Sequence, residues 1–144
     1  MIIVKRIITD DDLYYVEMII ETPQVCVNQA FYLQPPHIQN ACKVIDSYLS
    51  NTVKIQTTSF GFYAGERRNA CCLTLCSSPQ GGRQLMIDVD LNSNFNHSEF
   101  FRKEGYYNCK FPLYTNRWAL AEFRNDFLSL IDKGDGAIAR LKDS

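Results

Sequence analysis

Asp88 and Asp90 stand two positions apart in a segment where Leu85, Ile87, Val89 and Leu91 alternate with polar or larger residues. On an extended strand, residues at i and i+2 project from one face. The two carboxylates therefore share a face, and Glu99 or Glu104 from the following polar stretch can join them. Such a trio has two chemical uses: it can hold Mg²⁺, or it can supply the acid and base of a hydrolysis, as in nucleases and glycosidases. The same alternation also predicts both carboxylates as the solvated side of an amphipathic strand with no chemistry at all. A third use is the docking of a basic partner.

Other reactive types are less well placed. Of six cysteines, Cys71 and Cys72 are adjacent and Cys76 follows on the same strand, while Cys26, Cys42 and Cys109 stand singly in apolar runs. A zinc site needs four convergent ligands, commonly as two C-x₂-C pairs, and the strand pattern points Cys71 away from Cys76. These are expected to be core thiols, with no metal. A nucleophile needs a base, and the only histidines are His37 and His97. His37 follows Pro36 in a helical first turn, and His97 lies in a polar stretch without a nucleophile turn around it. Gly81-Gly82 lacks the lysine and helix of a phosphate loop. No catalytic residue and no cofactor are expected. Asp10, Asp11 and Asp12 form a second acidic cluster, which reads first as a hairpin turn, with Glu17 and Glu21 nearby.

Composition narrows the class. The 144 residues are 46% hydrophobic and 22% charged, enough for one core without disulfide or metal support. Fifteen Lys and Arg against sixteen Asp and Glu leave a net charge of −1, and the basic residues cluster only as pairs. Nucleic-acid binders carry a basic excess or stripe, so direct nucleic-acid binding is not expected. Without that groove, Trp118 and the many Tyr and Phe read as core and interface residues. No apolar run approaches a membrane span, and the start of the chain does not read as a signal peptide. A cytoplasmic protein with reduced thiols is expected.

The elements that must position these residues follow from periodicity. Residues 2–9 and 13–22 are β-branched runs separated by the three aspartates, and a third extended run spans 25–33. Pro35-Pro36 suits a helical first turn, and Ile38, Ala41, Cys42, Ile45 and Leu49 recur at helical spacing. Extended segments follow at 53–62, 70–77, 85–91 and 106–113. A closing helix runs from about Asn116 to Lys133, with Leu120, Phe123, Phe127, Leu130 and Ile131 as its apolar stripe, Thr115 or Asn116 as cap and Gly134 as stop. Short connections imply an antiparallel sheet. The fold class is therefore α+β, an antiparallel β-sheet with two main helices packed on one face. Residues 1–144 form a single domain with a loosely held tail after about 134, and no internal repeat is visible.

This order of elements resembles that of small bacterial immunity proteins, which are paired with contact-dependent or polymorphic toxins. The corresponding parts are 25–50, 70–91 and 106–132, and the ending YYNCKFPLYTNRWALAEFRNDFLSLI is the most similar piece. The resemblance is one of layout and assigns no residue a role. It implies a non-enzymatic, one-to-one inhibitor of a toxin domain, commonly a nuclease. A nuclease cleft is basic, so an acidic face would speed association and fix register. Two candidate partner-binding clusters result: Asp88 and Asp90 with Glu99, and Asp10, Asp11 and Asp12 with Glu17 and Glu21. The alternatives are a metal-dependent hydrolase or nuclease using Asp88 and Asp90, and a non-catalytic adaptor domain of a larger assembly.

Overall fold

A computed structural model describes residues 1–50, 54–63, 69–77, 83–94 and 106–143. Strands β1 (Ile2–Asp10), β2 (Leu13–Glu21) and β3 (Cys26–Leu33) form an antiparallel meander, followed by helix α1 (Pro35–Leu49) and strand β4 (Gln56–Phe60). A second meander, β5 (Cys71–Ser77), β6 (Gln84–Asn94) and β7 (Tyr106–Asn116), leads into helix α2 (Arg117–Lys133) and strand β8 (Ile138–Leu141). The class is the expected one, α+β with antiparallel strands. The strands divide into two four-stranded sheets, ordered β3-β2-β1-β8 and β4-β5-β6-β7.

That division contains a repeat the sequence hides. Each half of the chain runs strand, strand, strand, helix, strand, and each half gives its last strand to the other half's sheet: β4 pairs with β5, and β8 pairs with β1. Buried positions correspond at one constant spacing along β3–α1 and β7–α2: Phe31 with Leu113, Ile38 with Leu120, Ala41 with Phe123, Ile45 with Phe127, Tyr48 with Leu130. A second constant spacing matches Tyr14, Val16, Met18 and Ile20 of β2 to Leu85, Ile87, Val89 and Leu91 of β6. Thr58 and Phe60 of β4 match Ala139 and Leu141 of β8. The paired residues differ in type because a buried position demands apolar volume and fit, not a particular side chain.

The inner faces of both sheets and the buried stripes of both helices belong to one core. Phe60 packs on Phe31 and Phe127, with ring centroids 6.3 and 5.3 Å apart, and Phe127 stacks on Phe123 at 5.3 Å. The helices meet where Arg124 forms a two-point pair with Asp46, at 2.9 and 2.8 Å, beside a Cys42 Sγ contact to the Arg124 carbonyl at 3.5 Å. Helix ends are closed locally. Asn116 Oδ1 accepts from the Ala119 backbone N–H at 2.9 Å, and Gly134 ends α2 at φ 80. The last carbonyls of α2 are met by Arg6, whose Nη1 donates to Leu130 O at 2.7 Å and Ile131 O at 3.2 Å. A cation at a helix C-terminus satisfies orphan acceptors and the helix dipole together.

The segment after 134 departs from the expected loose tail. β8 pairs with β1 from Ile2–Leu141 to Lys5–Ile138, and Ala139 and Leu141 are fully buried. Four residues were too few to register as an alternating strand, yet they fill the place of β4 in the other sheet.

Candidate functional site

One candidate cluster lies on the outer face of a sheet and the other at a hairpin turn. On the β4–β7 sheet, strand registry sets Cys72, Asp90 and Lys110 in one row and Thr74, Asp88 and Pro112 in the next. They line a shallow depression of about 430 Å³. Asp88 is exposed, as alternation requires. Asp90 is engaged: Lys110 Nζ lies 3.4 Å from Oδ2, and Asn108 Nδ2 donates to Oδ1. Glu99, Glu104 and His97 lie outside the described residues. Among the described residues, no three His, Cys, Asp or Glu side chains gather as a metal site would require.

Asp10, Asp11 and Asp12 do form the hairpin turn between β1 and β2. Asp10 pairs with Leu13 across a two-residue loop, and Asp11 takes a positive φ of 52, which Asp tolerates better than most residues. All three are exposed, and among the described residues no ion pair reaches their carboxylates.

Beside this turn lies a feature that the sequence reading missed. The outer face of the β3-β2-β1-β8 sheet carries a row of Ile8, Tyr15 and Tyr32, extended by an isolated bridge from Tyr32 to Phe62. Ring centroids are 5.3 Å apart for Tyr15–Tyr32 and 5.9 Å for Tyr32–Phe62, and His37 stands edge-on to Phe62 at 5.8 Å. Ile8 is 59% and Tyr15 38% exposed. A β-bulge creates the row. Registry jumps between Arg6–Val16 and Ile8–Tyr15, so Ile7 is the extra residue. Without it, strand parity would send Ile8 inward with Ile2, Val4 and Arg6; the bulge re-aims it to the outside. The row and Asp10 line a depression of about 340 Å³. Strand pairings gave no clue to this at the sequence level, because registry across β1, β2 and β3 decides which residues become neighbours.

The equivalent row on the other sheet is Cys76, Met86 and Tyr114, with the exposed Ile55 just before β4. It has one aromatic residue where the first row has two. Trp118, in the first turn of α2, is 74% exposed and so is not a core residue.

Burial shifts several of the thiols and one imidazole. Burial pushes the Cys42 thiol up to about 11 and the Cys71 thiol well above its ordinary value. Burial lowers the pKa of His37, whose buried Nδ1 has no hydrogen-bond partner among the described residues. A thiol of pKa about 11 is roughly one part in a thousand thiolate at pH 8, and the thiolate is the nucleophile. Alkylation with iodoacetamide at pH 8 is therefore expected to label the exposed Cys26 first and Cys42 and Cys71 last, read by peptide mass spectrometry. Rapid labelling of Cys42 would mark it as an activated nucleophile. Among the described residues, no helix is long and apolar enough to cross a membrane. Comparisons with protein-family models, with curated proteins and with solved structures find no match to this chain.

Proposed function

We propose that this chain is a cytoplasmic immunity protein that binds a cognate bacterial toxin domain one-to-one, a nuclease being the expected kind, and neutralises it by covering its active site. The observation that carries this reading is the row of exposed Ile8 and Tyr15 with half-buried Tyr32, held on a sheet beside three carboxylates that meet no cation among the described residues. Aromatic anchors with a charged rim are what protein interfaces use. The layout likeness to immunity proteins points the same way. Asp88 and Asp90 support it less well, because Lys110 offsets the charge of Asp90.

The test is co-expression with the toxin domain encoded directly upstream of this chain's gene. Growth is expected to be restored with that toxin and not with unrelated ones, and the pair is expected to co-purify as a 1:1 complex. Mg²⁺-dependent nucleic-acid hydrolysis by the purified chain, lost in Asp88→Asn, would replace this reading with an enzymatic one. Recovery of assembly scaffold proteins in place of a toxin would favour an adaptor.

A further inference from the structure

The outer face of the β3-β2-β1-β8 sheet has a chemistry that selects its occupant. We propose that the aromatic row and the aspartate turn together form the docking site for an arginine- or lysine-bearing segment of the partner protein, with a cationic side chain seated over Tyr15 and Tyr32 and paired with Asp10, Asp11 or Asp12. The inference deepens the inhibitor reading above and rests on it for the partner's identity.

Three observations carry the assignment. First, the row is a contiguous surface, because the bulge at Ile7 turns Ile8 outward into registry with Tyr15. An apolar residue left 59% exposed by a bulge, where plain parity would bury it, is a residue placed for contact. Second, the charge at the turn end of the row is of one sign, whereas the next row on its other side sets exposed Lys5 opposite Glu17. Three exposed aspartates meet no cation among the described residues, whereas Asp46, Asp90 and Asp135 elsewhere each have one. That border repels phosphate and attracts guanidinium or ammonium groups. Third, cations favour the faces of tyrosine rings, and the inner side of the same β1–β2 pair already uses this contact: the Arg6 guanidinium sits 3.9 Å from the Tyr14 ring centroid. A partner's arginine on the outer side would meet the same ring type with carboxylates within reach. The depression of about 340 Å³ lined by Ile8, Asp10, Leu13, Tyr15 and Tyr32 is of side-chain size.

The test maps binding on the full, isotope-labelled chain by amide chemical shifts, using hexa-arginine, hexaglutamate and the catalytically inactivated toxin domain as probes. Hexa-arginine and the toxin domain are expected to perturb residues 8–15, 32 and 62, and hexaglutamate to leave them unmoved. Tyr15→Ala and Ile8→Ser are each expected to weaken toxin binding about tenfold or more. The triple change Asp10→Asn, Asp11→Asn and Asp12→Asn is expected to slow association and flatten its salt dependence. Asn also tolerates the positive φ at position 11, so the turn is preserved. Unchanged thermal midpoints in these surface variants would exclude a folding defect. Wild-type affinity in all of them, or perturbations centred on Asp88, Asp90 and Tyr114, would overturn the assignment while leaving the inhibitor reading intact. If no toxin domain is bound or neutralised, the inhibitor reading fails, and the hexa-arginine map still decides whether the row takes cationic segments.

Discussion

Ending the chain at Gly134 is expected to abolish cooperative folding. The deletion removes β8, and with it two fully buried residues, Ala139 and Leu141, and the strand that covers the β1 edge of its sheet. Ile2 and Val4, both fully buried, would lose that neighbour, as would α2. It also removes Asp135, which pairs with Arg6 at 3.2 Å, and the Lys142 carbonyl that accepts from buried Thr115 at 2.8 Å. Truncating one buried Leu to Ala costs about 2–5 kcal/mol, and a whole domain is stable by only about 5–15 kcal/mol. Losing a core strand together with its hydrogen bonds exceeds that margin. The readout is a thermal melt followed by circular dichroism, supported by amide dispersion in NMR spectra. The milder Leu141→Ala should keep the fold and lower the midpoint by roughly 10 °C or more. A truncated chain that still melts cooperatively near the wild-type midpoint would mean that β8 is dispensable.

β8 is also where sequence pattern and structure part. Alternation over seven or more residues identified β5 and β6, and helical spacing identified α1 and α2, because long elements repeat a signal that burial imposes. Ile138–Leu141 alternates for too few residues to stand out from a polar tail. The repeat was hidden for a related reason. Ala41 and Phe123, or Tyr14 and Leu85, occupy equivalent buried places, and only their burial is shared. The residue types differ while the pattern of inward positions is shared. Pairing between distant strands is invisible in one dimension, and so was the division into two sheets.

The candidate site divides the same way. That Asp88 and Asp90 share an exposed face, and that Asp10 to Asp12 form a turn, followed from local rules and holds in the structure. What gives the turn its neighbours is registry. Ile8, Tyr15, Tyr32 and Phe62 come from four segments, and a single inserted residue decides whether Ile8 belongs with them. The two outer faces occupy equivalent places in the structural repeat and differ in chemistry: Ile8 and Tyr15 on one stand where Cys76 and Met86 stand on the other. The inner faces are alike in burial because both build the same core.

Gly61 links that core to the aromatic row, and Gly61→Ala is expected to disturb both. Its φ is +78, a conformation that costs a residue with a Cβ about 1–2 kcal/mol. A Cβ there would also overlap the Phe31 ring and lie 3.1 Å from Ala70 Cβ. Phe31 is fully buried against Phe60 and cannot swing away without opening the core. Overpacking of this kind adds about 1–3 kcal/mol, for a total of roughly 2–5 kcal/mol. Gly136 provides the comparison: its φ is +88, but a Cβ there meets nothing within 4 Å. Gly136→Ala should therefore show a backbone cost without that overlap, and the excess in Gly61→Ala, read by urea denaturation, measures the steric part; Gly134, at ψ −167, lies in a region that only glycine favours and is no such reference. The same shift has a second consequence. Phe60 points into the core and Phe62 bonds to Tyr32 through N–H···O contacts of 2.9 Å in both directions, so displacing the glycine between them pulls Phe62 out of line with Tyr32. Partner binding through the row should then weaken even under conditions where Gly61→Ala remains folded. Equal losses of stability in Gly61→Ala and Gly136→Ala would show that the ring of Phe31 yields, and that the close approach at Gly61 is not what holds the row to the core.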